Sequence, residues 1–172
     1  LKDRDGKPIT WEACITLNNH WGYCAADKDY KSAKQVIRGL VECVSKDGNL
    51  LLNVGPDAKG IIPEESVEIL EEVGRWMDKN SESIYGCGAS DLPKPEWGRY
   101  TQKGKKLYAH VYDNSIGPLN LRGLNGKIKK VRLLADGSEL KLLEPWNAVA
   151  YSDDAFVHLG SSKLPDELDT VL

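Results

Sequence analysis

The chain has 172 residues, a formal net charge of −3 and a pI near 5.7, with 41% hydrophobic and 28% charged residues; this is the composition of a globular protein with room for one large domain or two small ones. Lys and Arg are spread along the chain, so no basic patch points to a nucleic acid or an anionic membrane as partner. No apolar run approaches the ~18 to 20 residues that span a bilayer, and Leu1 to Thr10 lacks the layout of a signal peptide, so the segment assigns no compartment.

Met77 is the sole methionine and a strong hydrophobic motif begins within ten residues, so the chain reads as a piece of something longer. Ile9 to Leu17 (ITWEACITL) is a short apolar run suited to a strand buried on both faces, and it leads into a polar, aromatic loop, Asn18 to Asp29. Ser32 with Gln35 three residues on forms a capping-box signature. Val36, Ile37, Leu40, Val41 and Val44 then repeat at helical spacing, and Gly48 is expected to close the helix after Lys46.

Asn49 to Val54 is a second buried-strand run, ended by Gly55 and Pro56. A second helix is expected from Pro63, with Glu64 and Glu65 suited to the dipole of its first turn. Val67, Leu70, Val73 and Met77 mark its buried face, with Ile69 and Trp76 alongside. Strand, helix, strand, helix implies parallel strands joined by right-handed crossovers. Two such strands cannot cover their own faces and edges, so partners are expected upstream, in a closed barrel or equally in an open parallel sheet.

From about Ser90 the period changes to two. In Lys105 to Asp113, Leu107, Ala109 and Val111 alternate with Tyr108, His110 and Tyr112, as in a strand with one covered face. Asn125-Gly126 and Asp136-Gly137 are hairpin-turn dipeptides, and runs at Ile128 to Leu134, Leu140 to Leu143 and Ala155 to Leu159 supply strands at sandwich-like spacing. The proline-bearing Asp91 to Trp97 is the expected boundary between residues 1–89 and 90–172. The fold class expected is α/β plus all-β: β/α units followed by an antiparallel β-sandwich.

Sites in parallel α/β folds form beyond the C-terminal ends of strands. Here that selects Asn18 to Asp29 and Gly55 to Ile61. Asn18, Asn19, His20, Trp21 and Tyr23 supply the amide, imidazole and flat apolar groups that hold a small polyhydroxy ligand, or else the aromatics pack over the rim. Glu12 lies within an apolar strand, where desolvation would raise its pKa toward that of a general acid; its early position in the strand equally suits a buried, hydrogen-bonded structural carboxylate. Asn53, Gly55, Pro56 and Asp57 lack the phosphate-loop pattern. His110 and His158 lack ligand-spaced acidic or Cys partners and read as surface or satisfied histidines, so no metal site is expected. No Ser, His and Asp arrangement rises above chance. Cys14, Cys24, Cys43 and Cys87 read as thiols, with a Cys14 to Cys24 pairing left open.

Trp11-Glu12-x-Cys14, Trp21-Gly22-Tyr23, Tyr30-Lys31-Ser32, Gly48 through Pro56 (GNLLLNVGP), Gly60 and Ser83-Ile84-Tyr85-Gly86, in this order and spacing, resemble the end of the catalytic domain of family 29 glycoside hydrolases, the α-L-fucosidases. The β-rich remainder is similar in length and position to that family's C-terminal sandwich. The resemblance implies the last β/α units of a (β/α) barrel, and an enzyme that removes α-linked L-fucose from glycans with retention, using neither metal nor cofactor. It implies two carboxyl groups ~5 to 5.5 Å apart, the nucleophile being an Asp on an earlier strand, outside this chain. The position of the acid/base varies between members: some use a carboxylate upstream, others the Glu of the Trp-Glu motif, here Glu12. Trp21 matches the aromatic placed against the apolar face and methyl of fucose, with His20 and Tyr23 beside it as substrate-binding candidates. The partner implied is a fucosylated glycan; oligomeric state is not assigned. The alternative is a non-catalytic carbohydrate-binding or adhesion protein in which Trp97, Tyr108, Tyr112, Trp146 and Tyr151 line an exposed face of the sandwich.

Overall fold

The computed structural model describes residues 1–114 and 116–172. Strand β1 (Trp11–Thr16) pairs in parallel with β2 (Gly48–Asn53), Trp11 opposite Gly48 and Thr16 opposite Asn53. Between them runs helix α1 (Ala33–Val44), and after them α2 (Glu64–Asn80). The α1 start is built as the sequence predicts: Ser32 accepts from the Gln35 amide, and the Gln35 side chain accepts from the Ser32 amide at 2.9 Å. Its end differs. The left-handed residue is Asp47, at φ 58°, and not Gly48. Gly48 opens β2 instead, because the Trp11 indole lies where its Cβ would stand, anchored by Nε1 donating to the Lys46 carbonyl at 3.0 Å.

The expectation that both strands are buried on both faces is not met. Side chains alternate across a strand, and Glu12, Cys14, Asn49 and Leu51 share one exposed face, while Ala13, Ile15, Leu50 and Leu52 are half-buried on the other. Among the described residues only one strand neighbours each, so an edge and a face stay open. Helix α2 likewise departs from the expected stripe. Val67 is exposed, and the packed positions are Ser66, Val73, Trp76, Met77 and Asn80, with Trp76 at its centre. Pro63 serves as N-cap, with Glu64 and Glu65 in the first turn.

The second half contains two antiparallel sheets: β3 (Gly98–Lys103), β4 (Lys106–Val111) and β9 (Thr170–Val171) in one, and β5 (Leu119–Leu121), β8 (Ala155–His158), β7 (Glu139–Leu143) and β6 (Val131–Arg132) in the other. Their inner faces enclose Tyr100, Ala109, Val111, Leu119, Leu121 and Val157. Asp136-Gly137 makes the β6–β7 hairpin, with Gly137 at φ 74°. Asn125-Gly126 is a turn but no hairpin, since β5 pairs with β8 and β6 with β7.

Strand β4 is covered on both faces, contrary to the single covered face expected. Ala109 and Val111 enter the sandwich core, whereas Tyr108 and His110 point the other way, toward the cluster formed by Ile37, Val41, Trp76 and Ile84. The helices thus supply a third layer. His110, wholly buried, bonds Asp169 Oδ2 at 2.6 Å through Nδ1 and Thr101 Oγ1 at 3.0 Å through Nε2. Trp76 Nε1 donates to the Asp169 carbonyl at 2.9 Å, and Thr101 Oγ1 donates to the Ser83 carbonyl at 2.7 Å. Arg38 adds bonds to the carbonyls of Leu168 and Tyr112. Buried polar groups need such partners, and here they join the two halves of the chain.

Candidate functional site

At the C-terminal ends of β1 and β2 the ladder continues one step, Leu17 N donating to Asn53 O at 3.0 Å, and the chain then opens into the 18–29 loop. Leu17 and Asn18 are buried and anchor its start. Lys31 closes its end, its amide bonding Leu17 O at 2.8 Å and its ammonium Asn18 O at 3.2 Å. The second loop braces the first: a Cβ on Gly55 would come within 2.8 to 2.9 Å of the Gly22 and Tyr23 backbone. Only glycine permits that approach.

Asp27 organises the loop interior. Its Oδ2 accepts from Asn19 N at 2.9 Å and lies 2.6 Å from His20 Nδ1, and its Oδ1 accepts from Asp29 N at 3.1 Å. The His20 hydrogen bond first, then the two amides, hold its carboxyl below the ordinary aspartate value. Lys28 and Glu65, 2.7 Å apart, tie the loop to α2. The three sequence-predicted sugar contacts lie together on the outside: the His20 side chain is 55% exposed, and Trp21 and Tyr23 are 57% and 54% exposed. A groove of about 410 Å³ runs from Tyr23 along Lys28, Tyr30, Ile61 and Pro63 to Val67, away from His20 and Trp21.

Glu12 is exposed and not enclosed within an apolar strand as expected. It is the second residue of β1, four positions before Thr16, on the open face with Cys14, Asn49 and Leu51. Among the residues of β1 and β2 it is the one carboxylate. Asn53, set aside with the phosphate loop, lies on the same face by register, and its Oδ1 is buried with no partner among the described residues. Sequence reasoning missed Asp27, whose signal was an acid seven residues after a histidine in a polar loop.

Elsewhere, the aromatics expected to line a sandwich face do not share one. Trp97 packs edge-on to Tyr100 at 5.3 Å and donates to Asn120 O. Tyr108 is buried and Tyr112 half-buried at the helix layer, leaving Trp146 and Tyr151 exposed. His110 is the satisfied kind of histidine and His158 the exposed kind. All four cysteines are free, among them Cys14 and Cys24. Among the described residues no His, Cys, Asp and Glu group could hold a metal ion, and no helix is long and apolar enough to cross a membrane.

Residues 2–82 match the family model described as alpha-L-fucosidase. An alpha-L-fucosidase of Dictyostelium discoideum is 47% identical over 60% of this chain and 23% of its own length. The human tissue alpha-L-fucosidase is 35% identical over 76% of this chain and 30% of its own. Among solved structures, alpha-L-fucosidase isoenzyme 1 of Paenibacillus thiaminolyticus superposes with a TM-score of 0.95 at 64% identity, over 98% of this chain and 40% of that one. A family 29 alpha-L-fucosidase of Bacteroides thetaiotaomicron, solved as a trapped covalent intermediate, superposes at 0.79 with 29% identity, over 94% and 37%. The chain thus spans roughly a quarter to two fifths of these relatives.

Proposed function

This chain belongs to the α-L-fucosidase family, and we propose that the protein it forms part of is a retaining exo-glycosidase that hydrolyses terminal α-L-fucosyl linkages in glycans. The observation that carries the reading is the placement of Trp21, exposed at the C-terminal end of a parallel β/α pair, within a chain aligned almost end to end with a fucosidase. On this reading residues 1–89 complete a (β/α) barrel and residues 90–172 form the supporting sandwich. The open edge of β1 and the bare face of Glu12, Cys14, Asn49 and Leu51 are then where upstream strands close around the barrel interior.

Retaining glycosidases place two carboxyl groups ~5 to 5.5 Å apart, one attacking the anomeric carbon and one protonating the leaving oxygen and then activating water. A trapped covalent intermediate in the Bacteroides relative fits that scheme. The nucleophile is an aspartate on an upstream strand. Trp21 forms the wall for the apolar side of fucose, with His20 and Tyr23 beside it. Glu12 is the proton donor candidate, as the carboxylate of the open face. Neither metal nor cofactor enters the reaction.

The test is hydrolysis of an aryl α-L-fucoside by this chain, by the longer polypeptide extended upstream of Leu1, and by that polypeptide carrying Glu12→Gln. Turnover is expected from the extended protein and none from the short chain; turnover by the short chain would overturn the placement of the nucleophile. An unchanged rate in the variant would remove Glu12 from the mechanism.

A further inference from the structure

We propose that Asp27 is a positioning residue that fixes the tautomer of His20, so that His20 Nε2 is offered as a hydrogen-bond acceptor to a hydroxyl of the bound sugar. The inference rests on the reading of the 18–29 loop as a sugar site and adds the atom that contacts the ligand and the residue that aims it.

Backbone amides only donate, so the bonds from Asn19 N to Asp27 Oδ2 and from Asp29 N to Oδ1 make both carboxylate oxygens acceptors. His20 Nδ1 lies 2.6 Å from the same Oδ2. With the Asp27 carboxyl held low by these bonds and ionised, Nδ1 carries the hydrogen, which in a neutral imidazole leaves Nε2 with a free lone pair. Asp27 is held for this task, with its side chain only 6% exposed while that of His20 is 55% exposed. The depressed carboxyl of Asp27 agrees with an ionised acceptor.

The histidine is also fixed in place. Its amide donates to Asn18 Oδ1 at 3.3 Å, and Asn19 Nδ2 donates to Asp29 Oδ2 at 3.0 Å, so the two residues before it are tied. Nε2 has no partner among the described residues. The next residue is Trp21, 57% exposed. An indole face beside a lone-pair acceptor suits a sugar presenting an apolar patch on one side and a hydroxyl on its rim. Carboxylate–histidine pairs set tautomers in the same way at metal and catalytic sites.

The first arm of the test uses this chain. Long-range proton–nitrogen NMR above the histidine titration should show His20 with a protonated Nδ1 and an unprotonated Nε2, and Asp27→Ala should shift the ring toward the Nε2–H form. A wild-type ring already in the Nε2–H form overturns the positioning role. The second arm uses the extended enzyme with an aryl α-L-fucoside. Asp27→Ala should raise KM about three- to tenfold, the worth of one hydrogen bond, with kcat within twofold, and should have a smaller effect in a His20→Ala background, where only its bonds to the Asn19 and Asp29 amides remain. An undiminished loss in that background overturns the route through His20. An extended enzyme without fucosidase activity would sink the sugar assignment while leaving the tautomer result standing, which separates failure of the functional reading from failure of the Asp27–His20 pair.

Discussion

Raising the pH should weaken this chain through the buried His110–Asp169 pair, and the hydrogen-bond geometry sets the direction of the effect. Thr101 has a single hydroxyl hydrogen, and the Ser83 carbonyl, which can only accept, takes it at 2.7 Å. The 3.0 Å contact between Thr101 Oγ1 and His110 Nε2 then requires the ring nitrogen to donate. A second proton must lie between Nδ1 and Asp169 Oδ2, 2.6 Å apart. Burial pushes the Asp169 carboxyl up from its ordinary value, against the lowering effects of His110 and Arg38, with Asp166 as the further nearby charge. Its Oδ1 is buried without a partner among the described residues, which also favours a neutral acid. In the unfolded chain histidine and aspartate titrate near 6.5 and 3.9, so folded and unfolded pairs hold equal protons between about pH 4 and 6.5. Above that window the unfolded pair loses a proton that the folded pair keeps. Burial raises the Asp169 carboxyl, and stability contributed by a raised folded-state affinity is lost as pH rises, at up to about 1 kcal/mol per pH unit for one proton. Asp169→Asn preserves shape and can donate its amide to Nδ1 of a neutral ring, which removes the extra proton. Urea unfolding at rising pH should show the wild type losing stability relative to the variant; parallel curves would refute the proton count.

Other substitutions probe the interface and the loop. Arg38 donates to Tyr112 O at 2.8 Å and to Leu168 O at 3.2 Å and lies 4.4 Å from the Tyr112 ring centroid; Arg38→Met keeps much of its stem and should cost about 1 to 3 kcal/mol by urea unfolding. Gly55→Ala drives a methyl into the Gly22–Tyr23 backbone, so it should cost about 1 to 3 kcal/mol and shift the indole NMR resonance of Trp21. Trp21→Ala, in contrast, removes an exposed side chain and should leave unfolding within about 0.5 kcal/mol of the wild type.

The parts legible in the sequence are those written in neighbouring residues. Ser32 and Gln35 lie three positions apart, and the Val36, Ile37, Val41, Val44 stripe repeats every turn, so α1 declares its start and its buried side. Asp136-Gly137 declares its hairpin in the same way. What was hidden depends on distant partners. The burial of His110 requires Asp169, 59 positions away, and a helix layer over a strand whose alternation suggested solvent on that face. Trp76 looked peripheral on α2 because the stripe that matters faces the sandwich, as the Trp76 bond to Asp169 shows. At the site, Trp21 was readable as a strand-end aromatic, whereas Asp27 gained meaning only when the loop folded it against His20.

Hydrolysis of an aryl α-L-fucoside by the extended protein, measured for the wild type and for Trp21→Ala, tests the sugar-site assignment most directly. The wild type should release the aryl alcohol, and the variant should fall about tenfold or more in kcat/KM, some 1.4 kcal/mol of transition-state binding, with its fold intact. An extended protein with no turnover, or a Trp21→Ala enzyme working at the full rate, would contradict it.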